Sequence, residues 1–180
     1  MTSEEKSRVL AQINGKDRIT AFEAAKWVWR DSDPTLVSAL INLMSKGRKP
    51  LNRAAAAYAL PALRSPKALP GLERAVVNRS ESPTVRGYAA EALAHFHRKQ
   101  SHKALLEGLQ DRSKEVRFWC AFALGQMRDP KAISALRRLA ETDRRVVRGF
   151  WTVAKEAEDA LKEIEGSGRR KCIFCVGQKS

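Results

Sequence analysis

The chain has 180 residues, of which 43% are hydrophobic and 30% are charged, and its formal net charge is +14. This composition excludes a disordered chain and provides enough apolar residues for one domain with its own core. No apolar run approaches the roughly 20 residues of a membrane-spanning helix, and the first residues lack the apolar stretch of a signal peptide, so we expect a cytoplasmic protein without a transmembrane segment.

Proline positions and apolar periodicity together predict about ten helices. An N-cap residue precedes a proline in four dipeptides: Asp33-Pro34, Ser65-Pro66, Ser82-Pro83 and Asp129-Pro130. No segment alternates with a period of two, so strands are not expected. The predicted helices span residues 3–13, 18–30, 34–46, 51–63, 66–78, 84–96, 99–110, 114–127, 130–141 and 145–165.

One phrase recurs along the chain, each time opened by an arginine. The copies are RAAAAYAL at Arg53, RGYAAEAL at Arg86, RFWCAFAL at Arg117 and RGFWTVAK at Arg148, at intervals of 33, 31 and 31 residues. A fixed period near 31 residues indicates stacked helical pairs. We expect one domain over 1–165, followed by a flexible basic tail at 166–180. Its parts are a cap helix within 1–17, repeats at 18–48, 49–81, 82–112 and 113–143, and a capping helix within 144–165.

Small residues in each copy predict the buried side of these helices. With the arginine as position zero, positions 3, 4, 6 and 7 share one side of a helix. They hold Ala or Cys three times and then Leu, and small residues let neighbouring helices approach closely. The predicted core positions are Ala56, Ala57, Ala59, Leu60, Ala89, Ala90, Ala92, Leu93, Cys120, Ala121, Ala123 and Leu124.

Two of these phrases resemble a known repeat. VRGYAAEAL at Val85–Leu93 and VRFWCAFAL at Val116–Leu124 are similar to the phrase VRxxAAxAL of short HEAT-like repeats, the phycobilisome-lyase-like class. The Asp-Pro phrase of the second helix is found at Asp129–Leu136 and in weaker form at Ser65–Leu72. The resemblance covers roughly residues 18–165 and implies an all-α fold, a right-handed α-solenoid of about four to five stacked helical hairpins. It says little about activity, because such repeats serve many functions.

The repeated arginines lie beside the core positions, so each is expected to need a partner. Asp111 and Asp143, five or six residues before the next arginine, can supply carboxylates, and the resemblance likewise implies an Asp–Arg ladder between repeats. The alternative is that regularly spaced arginines contact phosphates. The predicted structural ladder comprises Arg53, Arg86, Arg117, Arg148, Asp111 and Asp143.

Positions 1, 2, 5 and 9 of the phrase lie away from the predicted core, where a soluble helix is usually polar, but aromatic residues recur among them. The resemblance places these positions on the concave surface of the solenoid. Exposed apolar patches of this kind mark interaction sites. The alternatives are that the chain's own tail, a second copy, or the curvature of the array covers these rings. The predicted partner-binding residues are Tyr58, Tyr88, Glu91, His95, Phe118, Trp119, Phe122 and Phe150.

Three cysteines, an odd number, argue against a disulfide framework. Cys120 stands in an alanine position of the core and is interpreted as packing. Cys172 and Cys175 form a single CxxC in the basic tail, without the second pair that a four-ligand zinc site needs. We therefore expect no metal and no cofactor. A site shared across a dimer, a redox pair, a lipidated tail and a plain basic terminus remain open.

These features favour a non-enzymatic scaffold or adaptor that binds a protein or peptide. The basic charge spread along the array favours an acidic partner, and self-association is a further option. The alternative is nucleic-acid binding, with bases stacked on the aromatic residues. A related enzyme, similar to HEAT-like alkylpurine DNA glycosylases, would use Glu91 or Asp143 as its acidic residue. No Ser/His/Asp arrangement and no His-Glu pair points to another enzyme.

Overall fold

The structure is a computed structural model that describes residues 1–96 and 99–166. Within these ranges the chain forms ten α-helices and no strand, with one isolated bridge between Val146 and Thr152. The helices are α1 (Ser3–Ile13), α2 (Arg18–Asp31), α3 (Val37–Lys46), α4 (Pro50–Ala59), α5 (Leu69–Val77), α6 (Pro83–Ala94), α7 (His102–Gly108), α8 (Lys114–Gln126), α9 (Ile133–Thr142) and α10 (Val153–Ile164).

Most of the predicted helix starts are confirmed. The side chains of Asp33, Ser82 and Asp129 each accept a hydrogen bond from the backbone two residues later, whereas Ser65 makes no such bond. Three of the four prolines begin a 3-10 turn, and the α-helix proper starts three residues further on. The proline therefore sets the start of the element, and the tighter turn directs the chain into the helix.

The helices form two layers. Layer A contains α2, α4, α6, α8 and α10, and each of these packs against the next one in the series. Layer B contains α1, α3, α5, α7 and α9, and each of these packs against the layer-A helix that follows it in the chain. The result is a solenoid of five helical hairpins, as predicted.

The predicted core positions are buried. All twelve small or leucine positions of α4, α6 and α8 lie in the core, each at most 2% exposed. Alanine at these positions brings the helix axes close together, and Leu60, Leu93 and Leu124 fill the space between layers.

The predicted helix over 145–165 is wrong in its first eight residues. The chain there makes a tight reversal in which Gly149 has a φ of +83° and Val146 pairs with Thr152. A left-handed φ suits glycine and would strain a side chain. Thr152 then caps α10 by accepting a hydrogen bond from the backbone of Lys155 at 3.1 Å. The last repeat therefore starts its layer-A helix later in the phrase than the other repeats do.

Arginines of layer A hold acidic side chains from the turn before the next layer-A helix. Nε and Nη2 of Arg53 donate to the carboxylate of Glu81 at 2.6 and 2.8 Å. The same atoms of Arg86 donate to Asp111 at 3.0 and 2.8 Å. Two parallel bonds per pair are the strong geometry for arginine and carboxylate. Each arginine therefore joins its own repeat to the next.

The third pair continues the series. Nε of Arg117 donates to Asp143 at 2.7 Å. Nη1 of Arg86 donates to the carbonyl oxygen of Glu81, and Nη1 of Arg117 donates to that of Asp111. One acidic residue thus binds the preceding arginine through its side chain and the following arginine through its backbone. The repeats are linked in an unbroken sequence.

The ladder carboxyls are held in their charged form. Burial opposes the ionisation of Glu81, Asp111 and Asp143, but hydrogen bonds from arginines outweigh it, so the pKa of each lies below its ordinary value. The pKa of the Arg53 guanidinium is raised by the hydrogen bond to Glu81. The sequence did not point to Glu81, because the expected partners were aspartates.

Arg148 does not belong to the ladder. It is exposed in the loop before α10, and no ion pair within the described residues involves it. The three ladder arginines are each the fourth residue of a layer-A helix, and the fourth residue of α10 is Glu156. Glu156 is fully buried and accepts a hydrogen bond from Nε1 of Trp151 at 2.9 Å. The shifted start of α10 therefore removes Arg148 from the register.

We predict that Arg86→Ala lowers the free energy of unfolding by about 3–5 kcal/mol, because it leaves Asp111 buried without its main counter-charge. Urea denaturation followed by circular dichroism measures this. The control is Arg137→Ala, whose partner Glu165 is exposed and whose loss should cost less than about 1 kcal/mol. Equal losses in the two variants would contradict a structural role for the ladder.

Candidate functional site

Six half-buried aromatic side chains lie along layer A. Phe22 and Trp29 come from α2, seven residues apart on one side of that helix, and the others follow from α4, α6, α8 and the loop before α10. We call this set the aromatic row. Its members are Phe22, Trp29, Tyr58, Tyr88, Trp119 and Phe150.

The first part of the aromatic row is a contiguous cluster. The ring centroids of Phe22 and Tyr88 are 5.1 Å apart, and those of Tyr58 and Tyr88 are 5.9 Å apart and nearly perpendicular. Nε1 of Trp29 donates to the backbone oxygen of Tyr58 at 3.0 Å. Rings at these distances attract each other beyond their buried area. Three consecutive layer-A helices therefore share one aromatic surface.

The second part is centred on Trp119. Its ring lies 5.2 Å from that of Phe150 and 5.6 Å from that of Phe122, nearly perpendicular to each. A Cβ added at Gly87 would lie 3.3 Å from Cδ1 of Trp119. The glycine therefore leaves room for the indole to lie against α6.

Two predicted contact residues are core residues instead. Phe118 is 0% exposed and Phe122 is 6% exposed. A layer-A helix is flanked on both sides by other layer-A helices and is backed by layer B. Only a narrow strip of the helix is left for solvent, whereas the sequence argument assumed a single buried side. The curvature-and-packing alternative is thus correct for these two rings.

Five of the six remaining predicted residues lie at or near the surface, whereas Glu91 is buried. Tyr58, Tyr88, Trp119 and Phe150 are half-buried, and His95 is exposed at the end of α6. The centroid of the His95 ring is 5.1 Å from that of Trp29, which brings it to the edge of the row. Their role in binding a partner stays a prediction. Phe22 and Trp29 were missed because α2 lacks the arginine phrase that supplies the register.

Glu91 differs from the other acidic residues of layer A. It is 4% exposed, and no hydrogen bond or ion pair within the described residues reaches its carboxyl group. Desolvation alone raises its pKa to about 8. Burial also raises the pKa of Tyr58 and Tyr88, and the charge of Glu91 raises both further. The carboxyl group therefore sits beside both tyrosines.

Exposed arginines recur at the turns before layer-A helices. Arg48, Arg79, Arg112 and Arg144 follow one another at intervals of 31, 33 and 32 residues, and all four are exposed. We call them the basic edge. Only Arg79 approaches a ladder acid, with Nη1 3.7 Å from Asp111. Part of the positive charge of the described residues is thus carried by arginines at one repeated position, the turn before each of the last four layer-A helices.

The described residues contain no group of three or more His, Cys, Asp or Glu side chains arranged to hold a metal ion. Cys172 and Cys175 lie outside those residues. Cys120 is a free, buried thiol whose pKa is raised by burial. No helix in the described part of the chain is long and apolar enough to cross a membrane.

Comparison with known proteins agrees with this architecture. The family model of HEAT repeats matches residues 75–162, and that of the PBS lyase HEAT-like repeat matches residues 53–78. The complex of CpcE and CpcF of phycocyanin lyase from Nostoc sp. PCC7120 is similar, with a TM-score of 0.74 and 18% identity over 88% of this chain and 99% of that chain. An engineered protein gives a TM-score of 0.55 and 18% identity over 92% and 79%. No curated protein matches the sequence significantly. At such identities the structural neighbours establish the fold alone.

We predict that Glu91→Gln stabilises the protein above about pH 8 by up to roughly 4–5 kcal/mol. An acid whose pKa is raised by folding loses stability as pH rises from its unfolded value, near 4.5, to its folded value. The wild type should therefore become less stable over that window, while the variant should not. Urea denaturation at several pH values measures the effect.

Glu81→Gln is the matched control, because folding lowers the pKa of Glu81. Its carboxylate contributes stability above its unfolded pKa, and that stability is lost as pH falls through the folded pKa. Removing this charge should destabilise the protein at neutral pH. The same sign for both variants would contradict the contrast between the two glutamates.

Proposed function

We propose that this chain, which belongs to the HEAT-like repeat proteins, is a scaffold or adaptor that binds a protein or peptide partner on the aromatic row. The observation that carries the proposal is the row itself. Six aromatic side chains from α2, α4, α6, α8 and the loop before α10 form two clusters, and all six are half-buried. Each ring therefore keeps part of its surface for a partner.

Energetics support the choice of these rings over the rest of the surface. Tyr and Trp dominate protein interfaces because they bury a large area at a small cost in side-chain entropy. Here the rings are already held by one another, as the nearly perpendicular packing of Trp119 on Phe150 illustrates. Little further ordering is needed on binding, which favours affinity. In the concave arrangement typical of this repeat class, a peptide would lie across several helices.

The charge pattern suggests what kind of partner approaches. The basic edge presents Arg48, Arg79, Arg112 and Arg144 at regular intervals, and the chain as a whole carries +14. Such a surface accelerates association with acidic molecules, and this electrostatic attraction weakens as the salt concentration rises. We propose that the partner is an acidic protein or peptide whose negative surface faces this edge.

The structural neighbours agree with a protein partner but do not identify that partner or its binding surface. The CpcE and CpcF neighbour is a complex of two chains, which agrees with a protein partner. The same neighbour is a lyase, so the expectation of a non-enzymatic protein draws no support from it. The proposal of a binding protein rests on the aromatic row.

We predict that Trp119→Ala weakens partner binding by about 2 kcal/mol or more, because the indole is at the centre of the second cluster, against Phe122 and Phe150. Affinity capture from a native lysate, followed by calorimetric titration of the captured partner, measures this. Trp27→Ala is the control, because Trp27 lines a separate groove of about 470 Å³ between α1 and α2. Circular dichroism verifies that both variants are folded. Equal affinities for wild type and Trp119→Ala would reject the site.

Nucleic acid is the second candidate, and the basic edge is the observation that favours it. Arginines spaced along one line can follow a phosphate backbone, and the aromatic row can stack unpaired bases. We predict in that case a gel shift with single-stranded probes at low salt that disappears steeply as salt rises. Replacing Arg79 and Arg112 by Gln should reduce both the affinity and its salt dependence. The absence of any shift would reject this candidate.

A further inference from the structure

We infer that Glu91, with Tyr58 and Tyr88 beside it, forms a binding site for an organic cation, either an ammonium or a guanidinium group. The inference rests on the proposed function to the extent that it places the site on the surface where the partner binds. It adds that one group of the ligand is a cation in contact with Glu91, which the aromatic row alone does not specify.

The register of the repeats places Glu91 between aromatic residues. Tyr58, Glu91 and Phe122 are each five residues after a ladder arginine, so they stand side by side on α4, α6 and α8. Along α6, Tyr88 precedes Glu91 by three residues and His95 follows it by four, so all three side chains share one side of the helix. Tyr88 is half-buried and His95 is exposed. Glu91 therefore lies at the base of a strip that reaches solvent on either side of it.

Glu91 lacks the arginine partner that the ladder acids have. Glu81, Asp111 and Asp143 each accept hydrogen bonds from a ladder arginine. The carboxyl of Glu91 has neither a hydrogen bond nor an ion pair within the described residues. A buried carboxyl without a partner costs several kcal/mol in its charged form. A bound cation would supply the missing charge and the missing donors together.

The surrounding rings favour a cation over other ligands. The face of an aromatic ring carries negative potential and attracts ammonium and guanidinium groups. The charged form of the Glu91 carboxyl group repels anions, and a neutral ligand cannot form an ion pair with it. One cation already lies on this row, since Cζ of Arg18 is 5.8 Å from the centroid of the Phe22 ring. The same guanidinium also forms a hydrogen bond with Tyr88, so the aromatic row already accommodates a cation next to the site, while no ion pair within the described residues joins a cation to the carboxyl group of Glu91.

The overall positive charge does not conflict with such a site. The basic edge acts at long range and is screened over about 10 Å at ordinary ionic strength. Glu91 acts only on a group in contact with it. A partner with an acidic surface can therefore still place one Lys or Arg side chain against the packed rings of Tyr58 and Tyr88.

The test uses the full chain and simple probes. These are n-butylammonium, n-butylguanidinium, neutral n-butanol, and blocked pentapeptides with one Lys or one Arg between glycines. Titrations followed by amide chemical shifts run at about pH 9, where Glu91 is largely ionised and the probes remain charged. Besides Glu91, the charged groups that act on the two tyrosines are Glu23, which acts on Tyr58, and Arg18, which acts on Tyr88. Wild type should bind the cations with millimolar affinity, and n-butanol should not bind.

Glu91→Gln should weaken cation binding at least tenfold while remaining folded, because Gln resembles the protonated side chain. The control Glu107→Gln, at an exposed position on α7, should bind as wild type does. Stronger binding of the peptides than of the free cations would indicate a partner side chain, and the reverse would indicate a small molecule. Equal cation affinities for wild type and Glu91→Gln, or equal binding of n-butanol, would overturn the inference.

The outcomes separate this site from the proposed function. Loss of cation binding in Glu91→Gln, with partner capture unaffected by Trp119→Ala, would support the cation site and reject the partner surface. Partner capture that depends on Trp119, with cation binding unchanged in Glu91→Gln, would support the partner surface and reject the cation site.

Discussion

The structure depends on the ion pair between a layer-A arginine and the acid that precedes the next layer-A helix. Small residues let the helices approach, but packing of alanine on alanine does not define how far one helix slides along another. The paired bonds of Arg86 to Asp111, together with the bond from Arg86 to the carbonyl of Glu81, hold the helix start and both flanking turns at set distances. Because Arg53 pairs with Glu81 and Arg117 pairs with Asp143 at the corresponding positions, neighbouring helices keep a common register. The side chains beyond the core are aligned as a consequence.

This alignment gives the ladder acids and Glu91 different roles. Glu81, Asp111 and Asp143 lie in turns, where an arginine holds each in its charged form. Glu91 lies in mid-helix, out of reach of the ladder, with the tyrosines as its neighbours. Burial raises the pKa of all four carboxyl groups. Arginine partners then lower the pKa of Glu81, Asp111 and Asp143 below the ordinary value, whereas Glu91 has no such partner. Stability is therefore built into the turns, and an unsatisfied group remains on the aromatic row.

Much of the fold could be predicted because it is repeated. The intervals between Arg53, Arg86 and Arg117 indicated the architecture, and the small-residue positions were those of the core. The errors arose where local chemistry departs from the repeat. Gly149 and the cap at Thr152 delay α10, so Arg148 leaves the ladder although its phrase looks similar. Phe118 was misassigned because a helical wheel shows one helix, whereas burial in a solenoid depends on the neighbours on either side.

The ladder also explains why the residues of the candidate site differ from one repeat to the next. A ladder that holds the backbone in register leaves the positions facing solvent free to differ between repeats without loss of the fold. Position five is a tyrosine on α4, a glutamate on α6 and a buried phenylalanine on α8. If this row served packing alone, an apolar residue at position 91 would be more stable than a carboxyl group with no partner. A carboxyl group kept at that cost, next to two rings whose faces attract cations, is best explained by a ligand that pairs with it.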